Sequence, residues 1–196
     1  MTDTDQIFRK AFADHRNGKL KDAAEGYQKV LTNSPNHPSA LHLLGLIRFD
    51  EGNIDEALTL VAHSIELVTD DMQWQLNYGK ILLKAGKHQS AVEAYLKALV
   101  IEPANVEAKV VLGDLYASFG KYNEALLMYY KILCDDCRNN EIAMKYADTI
   151  RAIGKSEEAE SFLSWYPQIN PDKGIPVETA FLRETAAPDR QSPNVL

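Results

Sequence analysis

An all-α solenoid of five helix-turn-helix repeats is the fold this sequence predicts, and three columns of residues predict it. Gly18, Gly52, Gly86, Gly120 and Gly154 follow one another at intervals of 34 residues. Gly45, Gly79 and Gly113 share a second column, which Ala11 and Ala147 complete. The third column is alanine throughout: Ala23, Ala57, Ala91, Ala125 and Ala159. Glycine supplies 10 of 196 residues. Four further in-register matches to Gly18 therefore arise from composition with odds on the order of 10⁻⁵, and fixed-period self-similarity marks a repeat array. The register runs from Thr4 to Lys173 without insertion, giving repeats at 4–37, 38–71, 72–105, 106–139 and 140–173.

Each element follows from this frame. The glycine at repeat position 15 ends the first helix, where a positive φ stops and reverses the chain. Small residues at positions 8 and 20 let the two helices of a repeat approach closely. Between them the apolar residues keep helical spacing, as in Leu112, Leu115, Tyr116 and Phe119, then Tyr122, Ala125, Leu126, Tyr129 and Leu133. Pro35, Pro103 and Pro171 occupy position 32, between repeats, where helix propagation must stop. Asn36-His37-Pro38 and Ala104-Asn105 continue that punctuation. Thr69 and Cys137 replace the proline after repeats two and four, which predicts looser or differently angled junctions there. Beyond Pro171 the register ends. Residues 177–184 have the amphipathic pattern of a short capping helix, with Phe181 and Leu182 over the open face of repeat five. The remainder of 174–196 is polar and proline-bearing, as disordered ends are.

Composition narrows the function. A net charge of −7 and a pI near 5.2 argue against nucleic acid, whose phosphates require clustered Lys and Arg. The acidic start, Met1-Thr2-Asp3-Thr4-Asp5, lacks the apolar core of a secretory signal. No run of residues is apolar enough for a membrane helix. Two cysteines make no disulfide framework, so a reducing, cytoplasmic location is expected. Cys134-Asp135-Asp136-Cys137 closes a helix rather than opening one. That is the wrong end for a dipole-activated thiol, and the motif supplies only two of the four ligands of a zinc site. The five histidines are scattered over the repeat, and no hydrolase, zincin or phosphate-loop motif occurs. Neither a catalytic site nor a cofactor nor a metal is expected.

The columns resemble the tetratricopeptide repeat, with its large residue near position 4, Leu-Gly at 7 and 8, Tyr at 11, Ala at 20, Tyr or Phe at 24, Ala at 27 and Pro at 32. Repeat four carries Leu112-Gly113, Tyr116, Gly120-Lys121-Tyr122, Glu124-Ala125 and Tyr129; repeat three carries Tyr78-Gly79, Gly86-Lys87, Ala91, Tyr95, Ala98-Leu99 and Pro103. Departures gather at the ends, where Lys10 and Asp14 replace larger residues and Phe162 to Pro167 break the usual pattern. The resemblance implies a right-handed superhelix whose first helices line a concave groove for extended peptides or partner helices. Transferred by position, the groove residues of the first three repeats include Phe8, Arg9, Phe12, Arg16, His42, Leu46, Phe49, Leu76, Asn77, Lys80, Leu83 and Lys84. Repeats four and five offer mixed charge instead, including Asp114, Met144, Lys145, Asp148 and Arg151. An apolar groove with basic edges on an acidic protein suits a protein or peptide partner with hydrophobic anchors and acidic character.

Two specialisations of the family are missing. The carboxylate clamp for chaperone C-termini fails at His42, Leu46, Glu107 and Val111, and the asparagine ladder of O-linked sugar transferases is represented by Asn77 alone. Three functions remain. The favoured one is a non-catalytic, cytoplasmic adaptor or scaffold. The second is a recruiting module of a glycosyl-, sulfo- or methyltransferase, because Asn36 to Gly45 resembles the opening of bacterial proteins that carry such domains, residues 174–196 then being a linker. The third is an array that self-associates through its ends.

Overall fold

The structure, a computed structural model, describes residues 2–166. The expected capping helix and tail lie outside the described residues. Ten helices and no strand occur among those described: α1 (Asp3–Arg16), α2 (Leu20–Asn33), α3 (Pro38–Asp50), α4 (Ile54–Leu67), α5 (Met72–Lys84), α6 (His88–Ile101), α7 (Val106–Ser118), α8 (Tyr122–Asp135), α9 (Asn140–Ala152) and α10 (Ser156–Trp165). First helices of repeats two to five begin at position 1, and every second helix begins at position 17. The chain divides into two compact units, Met1–Pro103 and Ala104–Leu196. The first holds α1 to α6, three repeats; the second holds α7 to α10.

The glycine of position 15 has the expected geometry in all five repeats, with φ between 72° and 85°. At the first of these turns the Gly18 N–H donates to the His15 carbonyl at 3.0 Å and the Lys19 N–H to the Asp14 carbonyl at 2.9 Å. This is the pair of hydrogen bonds that satisfies the open carbonyls of a helix end. A Cβ on these glycines would meet nothing within 4 Å, so backbone conformation alone selects glycine. Position 8 is different. A Cβ there would lie 2.5 Å from Val61 Cγ2 in repeat two and 2.5 Å from Tyr129 Cε1 in repeat four. Close approach of the two helices is therefore the reason for that column.

The starts of the first helices of repeats two to five are set by a column at position 34. His37, Asp71, Asn105 and Asn139 each accept, through the side chain, a backbone N–H three residues on, which satisfies an orphan donor of the first turn. Pro38 adds a pre-set φ at the first position of α3. Helices α4 and α8, followed by Thr69 and Cys137, end at the same repeat position as α2 and α6, which Pro35 and Pro103 follow. The connection keeps its length without proline because the capping side chain fixes where the next helix begins.

In the first unit Ala23, Ala57 and Ala91 are fully buried, together with Tyr27, Val30, Val61, Ile81 and Tyr95. In the second unit Ala125, Leu126, Leu133, Ile150 and Ala159 are equally sealed, and Tyr146 and Phe162 meet with ring centroids 5.1 Å apart. Each such large side chain contributes roughly 1.5–3 kcal/mol on burial. Phe162 and Tyr166, which break the usual pattern of repeat five, join this core with 1% and 5% exposure.

Candidate partner-binding site

All twelve residues proposed for the groove lie in the first unit, on α1, α3 and α5. Phe8 is half-buried and is held on three sides: by Phe12 (6.2 Å between centroids), Tyr27 (5.8 Å) and His37 (4.7 Å). Phe12 is 42% exposed, and its ring joins that of Phe8 in one apolar patch. With Ser39, His42, Leu43 and Trp74 these two rings line a recess of about 290 Å³. That is close to the lower end of small-molecule pockets, ~300–1,000 Å³, and suits one large apolar side chain.

The floor of the recess is rigid. His42 is 2% exposed and stacks on Trp74 at 4.3 Å and 8°. A relay of hydrogen bonds fixes its ring. Gln73 Nε2 donates to Asn77 Oδ1 (3.2 Å), and Asn77 Nδ2 donates to His42 Nε2 (3.1 Å). His42 Nδ1 then donates to Ser64 Oγ (3.3 Å), and Ser64 Oγ to the Val61 carbonyl (2.7 Å). This direction requires the neutral ring with its proton on Nδ1. Burial agrees, pushing the His42 pKa down to about 4 against a smaller opposing pull from Asp71.

The structure sorts the other predicted residues. Arg9, Arg16, Lys80 and Lys84 are exposed, while Leu46, Phe49, Asn77 and Leu83 are half-buried. Leu76 is 1% exposed and His42 2%: Leu76 belongs to the interior, and His42 reaches the recess only as its floor. Position 5 of repeats two and three is covered, in His42 by the Trp74 ring and the Asn77 amide. Trp74 itself was not among the predicted residues, for it stands at position 3, outside the columns that the family's groove uses.

The corresponding face of the second unit is occupied by its own charges. Lys145 Nζ reaches Asp114 Oδ1 and Oδ2 at 2.7 and 2.8 Å, and Tyr129 Oη donates to Asp114 Oδ1 at 2.6 Å. Burial and that carboxylate raise the Tyr129 pKa far above the ordinary phenol value. Arg151 bridges Asp148 and Glu160, both at 2.7 Å. Cys134 is exposed and Cys137 half-buried, both as free thiols. Among the described residues no group of three or more His, Cys, Asp or Glu side chains is placed to hold a metal, and no helix is long and apolar enough to cross a membrane.

A helical hairpin repeated in one register, closed by glycine turns and sealed by an alanine column, defines an interaction-repeat class of protein. Comparison with known proteins specifies it. Residues 76–141 match the family model described as tetratricopeptide repeat, and residues 16–98 match that of anaphase-promoting complex, cyclosome, subunit 3. The chain belongs to the tetratricopeptide-repeat proteins. Among solved structures it is similar to the MamA protein (TM-score 0.75, 20% identity, 87% of this chain and 93% of that one). It is also similar to YrrB, described as a TPR protein with an unusual peptide-binding site (TM-score 0.74, 19% identity, 85% and 86%). Identities this low speak for the fold alone. Among curated proteins, the protein O-mannosyl-transferase TMTC3 of Mus musculus is 36% identical over 84 residues, 42% of this chain and 9% of its own length. The CTR9 homolog of Arabidopsis thaliana is 29% identical over 104 residues, 52% of this chain and 10% of its own. The chain thus spans about a tenth of the length of these relatives.

Proposed function

We propose that the chain is a non-catalytic, cytoplasmic interaction scaffold that holds a peptide or helix of a partner protein on the first-helix face of its first three repeats. An apolar side chain of the partner sits between Phe8, Phe12, Leu43 and Trp74, and acidic residues beside it meet Arg9, Arg16, Lys80 and Lys84. The single observation that carries this reading is the open apolar recess, with Phe12 left 42% exposed. A tagged pull-down from the source organism supplies the partner for a titration. Replacing Phe12 and Lys80 together by Ala is expected to weaken that titrated affinity by about thirtyfold, the loss of a hot-spot anchor. The control Met144→Ala, in the second unit, is expected to leave it unchanged. Equal affinity for wild type and the double variant would remove the recess as the site.

The match to the TMTC3 transferase supports a second reading, in which the repeats recruit substrates for a glycosyl-, sulfo- or methyltransferase domain. A transferase domain encoded next to or in frame with this chain favours it, and an unrelated neighbourhood argues against it.

A further inference from the structure

A buried side-chain oxygen in the first unit, that of Gln75, stands without a hydrogen-bond partner among the described residues. Gln75 stands at repeat position 4, where the tetratricopeptide pattern places a large residue, and where repeat two has the buried Leu41. It is 3% exposed, and its Oε1 has no hydrogen-bond partner among the described residues. The same position in repeat four is also polar and buried, but Lys109 Nζ there meets Asp135 Oδ2 at 3.0 Å. Gln75 therefore keeps a destabilising acceptor that leucine would abolish and that its counterpart satisfies within the fold.

Gln75 lines a crevice of about 610 Å³ between α4, α5 and α6, which shares no residue with the aromatic recess. Glu66 and Glu93 stand at its walls with Tyr78, Lys97 and Ile65. Both carboxylates act on the Tyr78 phenol between them on the crevice lining. Burial raises the Tyr78 pKa first, and the charges of Glu66 and Glu93 both raise it further. Neither carboxylate is held in an ion pair among the described residues.

We propose that this crevice is a second binding site, which takes the guanidinium of an arginine side chain presented by a partner protein. Two carboxylates against one lysine give the crevice net negative charge, which excludes anions and attracts a cation. A phenol ring and an aliphatic wall favour a flat, weakly hydrated cation over a compact, strongly hydrated ammonium. The five N–H donors of a guanidinium form a planar fork, enough to serve both carboxylates and still reach the Gln75 amide as it turns about its last bond. The volume leaves room for the flanking backbone, so the ligand is a residue within a chain. This site is independent of the recess proposed above.

The test is a nuclear magnetic resonance titration of the full ¹⁵N-labelled chain with Nα-acetyl-arginine amide. The Nα-acetyl-lysine amide, Nα-acetyl-citrulline amide and free arginine are parallel arms. The arginine amide is expected to shift the Gln75 side-chain amide and the Ser90 and Glu93 backbone signals saturably. The citrulline and lysine amides are expected to bind at least about tenfold more weakly, the equivalent of one lost charge-assisted hydrogen bond. Gln75→Leu should abolish the shifts while holding or raising the thermal midpoint, and Glu66→Gln with Glu93→Gln should weaken binding by a further tenfold or more. Four results each overturn the proposal: no saturable shift with the arginine amide, equal binding of citrulline or lysine amide, shifts that survive Gln75→Leu, or tighter binding of free arginine, which would mark a small-molecule site.

Discussion

The two units are built on one repeat frame and use their first helices in opposite ways. In the first unit that face is aromatic with basic edges: Phe8 and Phe12 stand beside a stacked Trp74 and an uncharged His42 relay, flanked by the exposed Arg9, Arg16, Lys80 and Lys84. In the second unit it is ionic: Asp114 is engaged by Lys145 and Tyr129, and Arg151 by Asp148 and Glu160. A recess without an internal occupant faces solvent in one unit, while the polar groups of the other are largely satisfied by neighbours. One fold thus carries two chemically different surfaces, set by the residues at a few solvent-facing positions.

Acid is the largest way to break this comparison. His42 titrates at about 4 in the folded chain against an ordinary 6.5. Above pH 6.5 neither folded nor unfolded chain carries the proton, and the full stability is present. As pH falls from 6.5 to 4 the unfolded chain takes up a proton that the folded chain refuses, so stability declines, by about 3 kcal/mol at the lower end. All five histidines, His15, His37, His42, His63 and His88, precede Pro103. Hydrogen-exchange protection measured at pH 7 and 4.5 should therefore drop by more in α3 to α6 than in α8 to α10. An equal drop in both units would refute the assignment.

The ion pair of the second unit sharpens it next. Asp135→Ala leaves the Lys109 ammonium, 6% exposed in its side chain, without its partner, and is expected to cost about 2 kcal/mol in urea denaturation. Lys109→Met replaces the pair by an apolar chain of similar length and should be neutral or stabilising. If Lys109→Met proves the worse of the two, the pair specifies more than stability. The smallest effect belongs to the surface. Lys145→Ala should cost under about 1 kcal/mol, since Lys145 and Asp114 are 31% and 45% exposed. A double-mutant cycle with Tyr129→Phe measures how much of the Asp114 cluster is cooperative.

Much of the fold was legible because a repeat states each requirement five times. The positive φ at position 15, the small residues at position 8 and the buried alanine at position 20 each have one dominant cause, and each was readable from spacing. At the junctions after repeats two and four, which lack the proline, Asp71 and Asn139 cap the next helix at the same repeat position as elsewhere. The lining of the recess was legible only in part. Phe8 and Phe12, which line it, stand in the expected columns. Trp74 was not expected there, because its partner His42 lies in the preceding repeat, and a single-repeat register does not show contacts between repeats. For the same reason His42 was expected at the surface, whereas the Trp74 ring of the next repeat covers it; Leu76 is buried as well. The orphan acceptor of Gln75 is invisible in sequence, since Lys109 at the same position is satisfied.

The glycine turns have a consequence for how such a chain grows. At each of the five the backbone passes through the same φ, near 80°, with open space around the Cα, and the next helix starts two residues later. Excising the chain between any two of these points, or copying it, joins like conformation to like and preserves every cap within the copied segment. The thirty-four-residue period is therefore a unit that recombination can add or remove without creating a new kind of junction. Surfaces as unlike as the aromatic and the ionic face can then diverge afterwards on copies that already fold.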